Sequence, residues 1–136
     1  MEDKAHSHWH IAPYFIVDNV EKTANFYRDV LGFHYNRIWG EPPCFCMVMR
    51  SGILIMLKQP PEKGQMRPNH LIKSNDEDEN WDAYIWVDDA DALYDEFKKK
   101  GVKITREICD QPYSNRDFEI EDCNGYRLCF GHDLQG

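Results

Sequence analysis

Three histidines alternate through His6-Ser-His-Trp-His10, and an extended chain would carry all three imidazoles on one side. Such a comb can bind Zn²⁺ or Ni²⁺, and it is also the composition of a frayed, solvated terminus. Cys44-x-Cys46 has the same two-residue spacing, which suits either a soft metal or two small apolar side chains on a strand. In the second half, Asp82, Tyr84 and Trp86 share one face if the segment is a strand. The two rings can stack on a planar or cationic ligand, a contact worth roughly 0.5–2 kcal/mol. Asp82 can fix an amine or guanidinium; alternatively the rings are core and Asp82 pairs with Arg127. The covalent option is an acid–base pair of Asp82 and Cys129, with Arg127 as the cation that lowers the thiol pKa. No Ser or Cys sits on a nucleophile elbow, and no glycine-rich loop is built to cradle phosphate.

The elements that would hold these groups repeat. The run Tyr14-Phe-Ile-Val-Asp-Asn-Val20 is matched about seventy residues later by Tyr84-Ile-Trp-Val-Asp-Asp-Ala90. Each is a short aromatic and β-branched segment, as strands prefer, followed by an N-cap candidate: Asp18 or Asn19, Asp88 or Asp89. Apolar residues then recur at helical spacing (Val20, Ala24, Tyr27, Val30, Leu31; Ala90, Leu93, Tyr94, Phe97), and Gly32 and Gly101 close the two helices. Three strands are predicted after each helix: 33–39, 44–49 and 53–58, then 102–108, 116–121 and 126–130. Ser51-Gly52 and Asn124-Gly125 supply hairpin turns. The chain therefore reads as a single domain, 1–136, of two repeated modules, about 9–58 and 81–132, joined by a linker over 59–80. That linker holds Pro60-Pro61, Gly64, Pro68, His70 and the acidic run Asp76 to Glu79, which is most simply a solvated loop.

Three segments carry a family resemblance: Asn25-Phe-Tyr-Arg-Asp-Val-Leu-Gly-Phe33; Val87-Asp-Asp-Ala-Asp-Ala-Leu-Tyr94 with Lys100-Gly-Val102; and Arg116-Asp-Phe-Glu-Ile-Glu-Asp-Cys-Asn-Gly-Tyr-Arg-Leu-Cys-Phe-Gly131. They resemble the vicinal oxygen chelate superfamily, which includes glyoxalase I, extradiol dioxygenases and the fosfomycin- and bleomycin-resistance proteins. The likeness covers about residues 11 to 132 and is strongest to the bleomycin-resistance-like branch. It implies an α+β fold of two βαβββ modules forming a curved mixed sheet around a cavity, commonly completed by a homodimer. In metal-dependent members each module gives one ligand from its first strand and one from its last. Carried over, those positions are Ala12, Met56, Asp82 and Cys129. Alanine binds no metal, and a lone carboxylate with a thiol and a thioether poorly suits an oxygen-chelating centre. The resemblance thus implies no metal and no cofactor, unless the register slips by two residues and His10 replaces Ala12. The ligand-binding set expected on the cavity side is Tyr14, Trp39, Met56, Asp82, Tyr84, Trp86, Arg127 and Cys129, with Tyr113 as a further rim aromatic.

Composition sets the outer limits. Sixteen Lys and Arg against twenty-four Asp and Glu leave a net charge of −8, which argues against nucleic acid. The longest apolar run, Ile53 to Leu57, is too short to span a bilayer, and the charged start resembles no signal peptide. An odd cysteine count with no CxxC pair points to the reduced cytoplasm. The expected function is metal-independent sequestration of a small, cationic or aromatic molecule. The alternatives are a metal-dependent lyase, isomerase or dioxygenase using His10 or His70, and a partner-binding module with no small ligand.

Overall fold

The computed structural model describes residues 9–72 and 80–135; His6, His8 and the whole acidic run Asp76 to Glu79 lie outside them. The first module runs β1 (Tyr14–Ile16), α1 (Val20–Asp29), β2 (Ile38–Trp39), β3 (Phe45–Arg50) and β4 (Ile53–Lys58). The second runs β5 (Ala83–Trp86), α2 (Ala90–Lys99), β6 (Lys103–Asp110), β7 (Asn115–Glu121) and β8 (Arg127–Asp133). Each builds a four-stranded mixed sheet of the same order, β1-β4-β3-β2 and β5-β8-β7-β6. In both, the first strand lies parallel to the last and the other pairings are antiparallel. The architecture is α+β, two βαβββ modules.

Local chemistry explains the helices. Asn19 Oδ1 accepts from the Lys22 amide and Asp89 Oδ1 from the Ala92 amide, so the second candidate of each pair is the N-cap. Gly32 and Gly101 follow at φ +77° and +75°, a left-handed stop that β-carbon-bearing residues resist. Beneath the helices lie Phe15, Val17, Cys46, Val48, Ile55 and Leu57 of one sheet, with Ile85, Phe118, Ile120, Leu128 and Phe130 of the other. These residues form one continuous core. Each module alone would leave its part of that core open.

Three expectations change. Residues 33–39 do not form one strand: His34 makes an isolated bridge to Met49, and pairing resumes only at Ile38. Between them Tyr35 turns to α1, its hydroxyl donating to Asn25 Oδ1 at 2.6 Å. Ser51-Gly52 is the expected tight turn, at φ 50° and 86°, whereas Asp122 to Tyr126 form a longer connection in which Gly125 alone has positive φ. The linker is not structureless throughout. Asn69–Leu71 is a 3₁₀ turn; the Asn69 amide donates to Asp82 Oδ1, and His70 Nε2 lies 2.8 Å from the Gly125 carbonyl.

The modules clasp each other twice. Strand registers make Tyr14 opposite Met56 equivalent to Tyr84 opposite Cys129, so Ile53 corresponds to Tyr126 and Arg50 to Asp122. At the α1 seam Tyr27 donates to Asp122 at 2.6 Å and Asn124 Nδ2 to Thr23 at 2.9 Å. Tyr126 stacks on Phe15 with centroids 4.2 Å apart and donates to the Ile16 carbonyl. At the α2 seam Arg50 grips Glu96 with two bonds, 2.8 and 2.9 Å.

Candidate functional site

Strand alternation sends the helix-facing side chains into the core and leaves the opposite faces to the molecule's interior cleft. That cleft has a volume of about 1030 Å³ and opens between β4, with the chain leading into β1, and β5. Ala12, Leu54 and Met56 line one side; Asp82, Tyr84 and Trp86 line the other, with His10 at the mouth. From Trp81, just before β5, to Trp86 at its end the rings form a ladder. Trp81 and Tyr84 lie 5.3 Å apart and Tyr84 and Trp86 5.2 Å apart, centroid to centroid. Trp86, 64% exposed, presents a free ring face.

Of the eight expected binding residues, Met56, Asp82, Tyr84 and Trp86 come together on the cleft. Tyr14, half exposed on β1, does not line it, nor do the other three. Trp39 is covered by the Arg37 guanidinium, 3.7 Å from its ring centroid. Arg127 points away: its Nε donates to Glu121 at 3.3 Å and a terminal nitrogen lies 3.8 Å from Glu119. It therefore does not pair with Asp82 through its side chain. Asp82 instead accepts from two backbone amides, Asn69 at 2.7 Å and Arg127 at 2.8 Å, which pins the 3₁₀ turn to the head of β8.

Cys129 is fully buried beneath a polar network that sequence reasoning missed. Its centre is Asp117, also fully buried, whose carboxylate accepts from Tyr84 at 2.8 Å, Tyr113 at 2.6 Å and Arg106 at 2.8 Å. Asn115 Nδ2 donates to the Tyr84 hydroxyl at 2.7 Å, and Thr105 to Glu119 at 2.8 Å. Gly131 permits this: a β-carbon there would collide with the Tyr84 hydroxyl and with Asp117. The cation near Cys129 is Arg106, 3.4 Å from its sulfur, and not Arg127. Even so, burial, reinforced by Asp117, pushes the Cys129 thiol well up, so it stays protonated and is no nucleophile. Burial likewise raises the Tyr84 and Tyr113 phenols, with Asp117 adding to both. The available signal was the alternation Asn115, Asp117, Glu119, Glu121 opposite Phe118 and Ile120: a polar face on a strand whose first three polar members are buried and hydrogen-bonded to one another's neighbours.

A family model described as Glyoxalase/Bleomycin resistance protein/Dioxygenase superfamily matches residues 9–130. The chain belongs to that superfamily. No curated protein sequence matches it. Among solved structures, a glyoxalase-related enzyme from Clostridium phytofermentans superimposes with TM-score 0.72 at 16% identity, covering 96% of this chain and 99% of that one. The bleomycin-binding protein from bleomycin-producing Streptomyces verticillus, complexed with copper(II)-bleomycin, gives TM-score 0.65 at 20% identity over 90% and 94% of the two chains. Lactoylglutathione lyase from Agrobacterium tumefaciens gives 0.66 at 17% identity over 93% and 95%. At these identities the likeness establishes the fold alone.

The positions that the resemblance carries over as metal ligands do not fit a metal here. Ala12 has no donor, Cys129 is a protonated thiol under Arg106, and both Asp82 oxygens already accept backbone hydrogen bonds. Among the described residues, no three His, Cys, Asp or Glu side chains converge as a metal site. All five cysteines, Cys44 and Cys46 included, are free thiols.

Proposed function

We propose that this chain binds a small molecule in the inter-sheet cleft and holds it without metal and without turning it over. The observation that carries the reading is the cleft itself: about 1030 Å³, with Leu54 and Met56 facing the Tyr84–Trp86 ladder. A mostly apolar cavity with few polar groups is how small-molecule sites are built, and this one is at the large end of their range. Exposed ring faces and a net charge of −8 favour a cationic, aromatic-bearing ligand. The likeness to a bleomycin-binding protein supports the same class. Free cysteines support a cytoplasmic setting, and exposed Trp9, Ile11 and Tyr14 support a homodimer, which sedimentation velocity at micromolar concentration would test.

The experiment is a tryptophan fluorescence titration with metal-free bleomycin. Saturable quenching that weakens at least tenfold in Trp86→Ala is expected; no quenching sinks the ligand class. One observation favours a catalytic reading, since His10 lines the same cleft as Asp82. Incubation of the protein with lactoylglutathione and Zn²⁺, Ni²⁺ or Mn²⁺ addresses it. Metal-stimulated turnover lost in His10→Ala would replace sequestration by catalysis.

A further inference from the structure

The two seams are equivalent in topology and unequal in filling. At the α1 seam the position of Phe15 on β1 is packed by Tyr126, ring on ring at 4.2 Å. The equivalent pair at the α2 seam is Ile85 and Ile53, and Thr23 of α1 is matched by Leu93 of α2. Two aromatic rings are thus replaced by two aliphatic side chains. A pocket of about 300 Å³ remains at the α2 seam. Its floor is Phe33, Ile85, Phe97 and Phe130. Three carboxylates, Asp88, Asp89 and Glu96, face one guanidinium at its rim. Arg50 is already committed to Glu96, and Asp89 to capping α2; Asp88 makes no ion pair among the described residues. Trp86 stands at the lip, offering a ring face on the same side.

We propose that this seam is a second small-molecule site, adjoining the cleft along Arg50, Ile53, Ile85 and Trp86 but reaching under α2 where the cleft does not, and that its ligand is a single-ring arylalkyl ammonium ion. The ring takes the place that Tyr126 fills at the other seam. The ammonium lies toward Asp88 and the Trp86 face, where a carboxylate and a π-system both favour a cation. An isosteric carboxylate would meet uncompensated negative charge. Volume agrees, since about 300 Å³ is the lower bound of small-molecule sites and suits one ring with a short chain.

The test is a ¹⁵N-edited NMR titration of the whole chain with phenethylammonium chloride, using 3-phenylpropionate as the anionic isostere. Saturable shifts at the Val87, Ala92 and Leu93 amides are expected, with the anion at least tenfold weaker. Ala92 lines the seam and not the cleft, so Ala92→Phe should weaken the amine at least tenfold. The double variant Ile53→Tyr, Ile85→Phe copies the filled seam; it should abolish binding and raise Tm. Should that variant fail to fold, Ala92→Phe still decides. Shifts that never saturate, equal affinity for the anion, full binding by Ala92→Phe, or shifts centred on Ala12, Leu54 and Met56 each overturn the proposal. Bleomycin quenching in Ala92→Phe reads the cleft independently, so the two readings fail separately.

Discussion

Asp117 sits with no exposed surface and three donors converging on it, one of them a guanidinium. Removing one partner of a buried ion pair strands the other, typically at roughly 3–5 kcal/mol. Asp117→Ala should lose about that much in urea unfolding, and Asp117→Asn should also destabilise, because the neutral amide leaves the Arg106 charge uncompensated and turns a donor toward donors. Asp122 behaves differently. Burial raises its carboxyl to about 6, against the lowering influence of Tyr27 and the Asn124 and Tyr126 amides. The folded state therefore holds this proton more tightly than the unfolded chain. The stabilisation is fully present below pH 4 and is lost as pH rises through 6, on the order of 2–3 kcal/mol. Asp122→Asn should remove this decline, so the difference between variant and parent stability, measured by urea titration from pH 4 to 7, should shift in the variant's favour as pH rises. Neither role is legible in the sequence. Asp82 lines the cleft as strand alternation predicts, but its partners are the Asn69 and Arg127 amides and not the Arg127 side chain, because those segments meet only in the folded chain.

The elements themselves were readable, because what makes them is local. Caps at Asn19 and Asp89, glycine stops at Gly32 and Gly101, and the parity of β1 and β5 all follow from neighbours a few residues apart. The broken strand after α1 was not readable, since it depends on Tyr35 finding Asn25 ten residues back across a turn. The hairpins separate the two kinds of signal. Gly52 lies at φ 86° with open space around it, so Gly52→Ala should cost only backbone strain, about 1–2 kcal/mol. Ser51, at φ 50°, should gain up to about 1 kcal/mol on replacement by Asn, the residue that this turn prefers. Thermal unfolding of both variants checks the pair, and opposite signs are expected.

At the scale of the molecule, duplication has given two halves with one core between them. Residues 9–72 alone should therefore show no cooperative transition, while the full chain unfolds with coincident fluorescence and far-ultraviolet signals. The halves have also diverged in the faces that they turn inward. The first presents Met49, Leu54 and Met56, soft and adaptable; the second is tied through Tyr84 into the Asp117 network, a rigid frame. That frame carries one more property. Trp81, Tyr84 and Trp86 are held about 5 Å apart with ring planes at 66° and 55°, neither parallel nor perpendicular. Oscillators so arranged exchange excitation and rotate polarised light, so the ladder should give a near-ultraviolet circular dichroism couplet. A guest that stacks on the exposed face of the ladder should change the couplet's amplitude, and the protein would announce its own occupancy with no dye attached.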